Sequence, residues 1–140
     1  MSIVLYGRFR VSDPRLRDVL ECMADALSRT VRITSGDRDF VPRGGALNSL
    51  HRSNEAIDFH VDGLADEQAF QLLRSKRREV FGSDTGNAFR YQIIRHGPYT
   101  ETQGPHLHLG YAPPGIQNIR RGFMVEGLVR GQRYTVVENP

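Results

Sequence analysis

The chain has 140 residues, 39% hydrophobic and 25% charged, a globular composition that excludes disordered and fibrous classes and suits one domain burying roughly two-thirds of its unfolded surface. Its formal charge of +3 favours anionic partners such as nucleic acid, a membrane surface or an anionic cell-wall polymer. No apolar run approaches the ~20 residues of a membrane span, and the lone cysteine, Cys22, excludes internal disulfides and multi-cysteine zinc sites.

The N-terminal "MSIVLYGRFRVSD" has neither a long apolar core nor a small-residue cleavage site, so no secretory signal peptide and synthesis in the cytoplasm are expected. "SDPRLRDVLECMADALSR" predicts a helix, with Ser12 as candidate N-cap, Pro14 in the first turn and an apolar stripe of Leu16, Val19, Leu20, Met23 and Leu27. Cys22 falls in this segment and is expected to be a buried structural thiol. "TVRITS" alternates as a strand and runs into the loop "GDRDFVPRGGALNS"; "EAIDFHV" is a second strand. "LADEQAFQLLRSKRREVF" predicts a second helix, acidic early and basic late as the helix dipole prefers.

"RYQIIRH" and "HLHLGY" read as two further strands around the turn-rich "GPYTETQGP", and "GFMVEGLVRGQRYTVVE" as a hairpin around Gly131-Gln132. The result is an α+β domain with a small antiparallel sheet flanked by helices. It is expected to be one domain over 1–140, with core motifs in 31–111 and the hairpin in 112–140. Eighteen of the nineteen basic residues are arginines, scattered except for "RSKRRE" at 74–79, which reads as the solvated face of a helix. No nucleic-acid motif appears and the aromatics are not interleaved with a basic stripe, so nucleic acid is not an expected partner.

Strand alternation isolates the chemistry. In "EAIDFHV", Ile57, Phe59 and Val61 share the core face, and Ala56, Asp58 and His60 share the other. In "HLHLGY", Leu107, Leu109 and Tyr111 face the core, while His106, His108 and Gly110 face away. If these strands are neighbours, Asp58 and the histidine pair converge. His51 precedes Asp58 by seven residues, ~10 Å along a helix, so a turn at Ser53-Asn54 must fold it back over the strand. A His, Asp, His set provides three protein ligands and leaves a fourth position for water, the layout of catalytic rather than structural zinc. Zinc in such a site lowers the water pKa towards neutrality and polarises a carbonyl.

The segments "ITSGDRD", "GALNSLHRSNEAIDFHV" and "GPHLHLGY" resemble the superfamily of zinc D-Ala-D-Ala carboxypeptidases, L-alanyl-D-glutamate endopeptidases and the hedgehog signalling domain. The matching positions are Thr34, Ser35, Gly36 and Arg38, then Ser49, His51, Ala56 and Asp58, then His106 and His108, covering roughly residues 13 to 111. The resemblance implies a hedgehog/DD-peptidase-like fold with Zn2+ held by His51, Asp58 and His108. It places His106 beside the metal as an acid/base or transition-state stabiliser, Arg38 against the substrate near the scissile bond, and Ser49 as a loop-ordering or substrate-binding group. Glu101, the carboxylate of "GPYTETQGPHLH", is the implied general base, seven residues before His108 where the family has three or six. Asn54 stands where the family has glycine and Asp37 where it has an aromatic residue. His60 shares Asp58's face and is placed to support a ligand; His96 has no motif position and reads as a loop residue.

The implied activity is hydrolysis of the peptide stems of bacterial peptidoglycan, as a carboxypeptidase or endopeptidase. A small domain without a signal peptide resembles a phage endolysin, or an effector reaching the cell wall or periplasm after lysis or delivery. The alternative on the same fold is a non-catalytic zinc-binding module. A monomer is expected.

Overall fold

The computed structural model describes residues 3–37, 55–100, 104–113 and 120–140. In chain order the elements are β1 (Val4–Leu5), α1 (Pro14–Leu27), β2 (Val31–Ser35), β3 (Ala56–Val61), α2 (Asp66–Ser75), α3 (Arg77–Phe81), β4 (Tyr91–His96), β5 (His106–Tyr111), β6 (Gly122–Glu126) and β7 (Thr135–Glu138). Helices and strands are mixed, giving an α/β architecture. The strands form a seven-stranded sheet of order β1-β2-β3-β5-β4-β6-β7, larger than the small antiparallel sheet expected. It is also mixed, because β1 runs parallel to β2 and β6 parallel to β4. Strand β6 pairs with β4 rather than with its sequence neighbour β5, and that skip makes the pair parallel. Strands β6 and β7 pair antiparallel. No helix among the described residues is long and apolar enough to cross a membrane.

One continuous core joins the helices to one face of the sheet. Leu16, Leu20 and Met23 of α1, Phe70 and Leu73 of α2, and Phe81 of α3 pack with Ile33, Ile57, Phe59, Ile93, Leu107, Leu109 and Phe123. Each such side chain, fully buried, contributes about 1.5–3 kcal/mol of transfer free energy. The alternate positions Ala56, Asp58, His108, Ile94 and Met124 are also buried, but none belongs to that core. They form the opposite face, where the candidate site lies.

Three local expectations are corrected. The N-cap of α1 is Asp13, whose Oδ1 accepts from the Arg15 backbone N–H at 2.9 Å; Pro14 occupies the first turn and has no N–H to be capped. Cys22 is exposed rather than buried, because two residues of helix turn it about 200° away from buried Leu20. The second predicted helix divides at Lys76 into α2 and α3. Its basic cluster is more than a solvated face: Arg74 Nε and Arg77 bind the two oxygens of Glu138 on β7 at 3.0 and 2.7 Å.

Asp13 also supplies a pH test. Burial pushes its carboxyl up, but hydrogen bonds from the Arg15 side chain and backbone, with the guanidinium charge, outweigh this and hold it below its ordinary 3.8. A depressed folded pKa gives stability that is present above the ordinary value and lost as pH falls through the folded one. Asp13→Ala should therefore cost about 1 kcal/mol in urea unfolding near neutral pH, and much less in strong acid. Equal costs at both pH values would contradict the assignment.

Candidate metal centre

The site is built by register. Strands β3 and β5 are antiparallel neighbours with Asp58 opposite His108, and β4 continues the row with Ile94 opposite His108 and His96 opposite His106. On the other side, the β2–β3 pairing shifts between Ile33 and Ser35, bringing Ser35 opposite Asp58. The "TSG" stretch thus ends beside the buried carboxylate. Gly36 is required there, since a Cβ at that position would lie 2.2 Å from the Arg10 carbonyl oxygen. Asp37 accepts from the Ser12 backbone N–H at 3.3 Å.

Asp58 is only 2% exposed. Its Oδ1 lies 3.4 Å from His108 Nδ1 and 3.5 Å from His106 Nε2. Charge-assisted hydrogen bonds are shorter, about 2.7–2.9 Å. The observed separations are instead close to the ~3.3–3.4 Å edge of a tetrahedron whose corners lie 2.0–2.1 Å from a zinc ion.

The far nitrogen of each ring fixes which tautomer the neutral ring adopts. Gln92 Nε2 donates to the Arg120 carbonyl at 3.0 Å, so its Oε1 is the atom 2.7 Å from His108 Nε2. Neutral His108 therefore carries its proton on Nε2 and presents the Nδ1 lone pair to Asp58. Likewise His106 Nδ1 donates to the Gly104 carbonyl at 2.6 Å, presenting Nε2. With both rings in their neutral form, two lone pairs and a carboxylate meet, an arrangement that a cation between them stabilises. The described residues contain no complete group of three metal-ligating side chains; Asp58 and His108 supply two. The third expected ligand, His51, lies outside the described residues, as do Arg38, Ser49, Asn54 and Glu101.

His60 Nδ1 pairs with Asp66 at the start of α2 at 2.9 Å, which, ahead of the opposing effect of burial, raises its pKa, with the charges of Asp66, Asp58 and Asp62 adding to the rise. His96 is not a loop residue. It ends β4, is 5% exposed, and stacks on His106 with ring centroids 4.4 Å apart and planes 25° from parallel. Its Nδ1 lies 2.6 Å from Glu126 Oε1 on β6. Burial pushes the His96 imidazole down despite the opposing Glu126 hydrogen bond, so the neutral ring donates from Nδ1 to the carboxylate. Tyr134 meets the His96 ring edge-on at 5.9 Å and 86°. Although Tyr134 is 45% exposed, burial around its phenol, then the charges of Glu126 and Asp58, push its pKa up.

Alternation in "RYQIIRH" puts Gln92, Ile94 and His96 on one face, and in "GFMVE" it puts Met124 with Glu126. That signal was present in the sequence, but it does not say that β4 lies between β5 and β6. The chain matches no known protein-family profile, and no curated protein matches it.

Proposed function

We propose that this chain is a zinc-dependent peptidase acting on the peptide stems of bacterial peptidoglycan, on a fold of the hedgehog/DD-peptidase type. The observation that carries the proposal is the Asp58–His108 pair. It lies buried across neighbouring strands at 3.4 Å, with the histidine tautomer fixed so that a lone pair faces the carboxylate. His51 would complete the ligand set. Bound there, zinc supplies Lewis-acid polarisation of a peptide carbonyl and activation of a water.

The chain's own residues have separate tasks in this reading. Asp58 provides the anionic ligand and balances the metal charge. Gln92 holds His108 in the ligating tautomer. His106, fixed by Gly104, presents Nε2 beside the site, where it can exchange a proton with, or stabilise charge on, the reacting group. Glu101 is the group assigned to take the proton of the attacking water, and Arg38 and Ser49 are assigned to the substrate. The bond cut is a carboxypeptidase or endopeptidase target within the stem, reached after lysis or delivery.

The test is metal analysis of the purified protein joined to digestion of peptidoglycan sacculi with and without chelator. The expected result is about one zinc per chain and chelator-sensitive release of peptides, whose masses identify the bond. Glu101→Ala should keep the zinc and lose turnover. Zinc content near zero sinks the proposal; bound zinc with no peptide released leaves the non-catalytic module in its place.

A further inference from the structure

We propose that Glu126 and Tyr134, both contributed by the C-terminal β6–β7 hairpin, hold His96 as a positioning residue for His106. This rests on the reading of His106 as a group acting beside the metal, and it gives the last part of the chain a task in the site.

Among the described residues, the hydrogen bond that holds the His106 ring runs from Nδ1 to the Gly104 carbonyl, with Nε2 3.5 Å from Asp58. One such bond does not by itself stop the ring rocking about its side-chain torsions, which moves Nε2 relative to Asp58. The flat contact with His96, 4.4 Å between centroids, blocks this rocking over the whole face of the ring. His96 can do so only if it is itself fixed. Register places it opposite His106 on one side and Glu126 on the other, and the 2.6 Å contact with Glu126 sets its plane. Tyr134 packs near-perpendicular to it, with ring centroids 5.9 Å apart.

The backbone is built for this close fit. Directly after His96, the Gly97 N–H donates to the Glu126 carbonyl at 2.8 Å. A Cβ on Gly97 would lie 2.4 Å from the Gly127 carbonyl oxygen, so only glycine lets the ends of β4 and β6 approach this closely. A carboxylate–imidazole pair with its imidazole buried and its carboxylate half-buried also has a desolvation cost. Stability alone gives no reason to put it behind His106, where apolar residues of similar volume could fill the space. Precise support of the neighbouring ring gives one.

The decisive measurement reads the histidine rings by nitrogen-correlated NMR in the metal-free protein. In the wild type, His106 should show one set of ring signals with a proton on Nδ1 that exchanges slowly. Glu126→Leu should broaden or divide those signals and speed exchange of that proton about tenfold or more, whereas Glu126→Gln, which keeps an acceptor for His96, should restore them. In the zinc-loaded protein, Glu126→Leu should lower kcat on peptidoglycan peptides about tenfold or more with KM nearly unchanged. Should Glu126→Leu fail to fold, His96→Ala removes the stacked ring directly and should disturb His106 in the same way. Wild-type His106 signals and exchange in either folded variant would overturn the proposal. The ring signals are read without metal or substrate, so failure of the zinc-peptidase reading and failure of this one are separate results.

Discussion

Asp58→Ala should abolish the rise in thermal stability that zinc gives the wild type. A ligand bound only by the folded state adds RT ln(1 + [L]/Kd), about 2.7 kcal/mol at a hundredfold excess over Kd. For a domain of this size that is roughly 8 °C in Tm. Asp58 is the anionic donor among the described site residues, sitting 3.4 and 3.5 Å from two histidine nitrogens. Without it, the site loses the carboxylate that faces both His106 and His108, and with it the charge that directly offsets a divalent ion there. The metal-free variant should still fold, because Asp58 is outside the helix-side core and removing a buried charge relieves its desolvation cost. Calorimetry with and without zinc decides the matter: an undiminished zinc-dependent rise in Asp58→Ala would place the metal elsewhere.

Phe123→Ala should be the most destabilising single truncation on the helix-side face, at about 3–5 kcal/mol. Phe123 is fully buried on β6 and meets three aromatic rings: Phe70 edge-on at 5.8 Å, Phe81 edge-on at 6.0 Å, and Phe89 stacked at 6.5 Å. Truncation removes these contacts and leaves a cavity between α2, α3 and the sheet that rigid neighbouring rings fill poorly. Urea unfolding measures the cost. The folded fraction should still bind zinc, because Phe123 and Asp58 lie on opposite faces of the sheet. A cost below about 1 kcal/mol would mean the site collapses readily, contrary to the packing described.

The two predictions divide along a line visible in the sequence. Period-two alternation assigned Ile57 and Phe59 to the core and Asp58 to the other face, and it did the same for Leu107, Leu109 and the histidine pair. The apolar stripe of α1 was equally legible, and the helical angle of about 200° from Leu20 is what puts Cys22 on the exposed side. Asp13 displaced Ser12 as the cap because the fixed backbone of Pro14 brings the helix start one residue closer. Lys76 broke a helix whose composition ran on without interruption, and the grip of Arg74 and Arg77 on Glu138 depends on β7, more than sixty residues further along the chain.

What the sequence by itself determined is which side chains share a face, since that follows from local backbone geometry. It also determined which residue types could serve a metal. Only the tertiary structure decided which faces meet. Hydrogen-bonded pairing of strands is non-local, and alternation is unchanged whichever neighbour a strand takes. The placement of β3 beside β5 put Asp58 against His108. The insertion of β4 between β5 and β6 put Gln92 behind His108, and His96 with Glu126 behind His106.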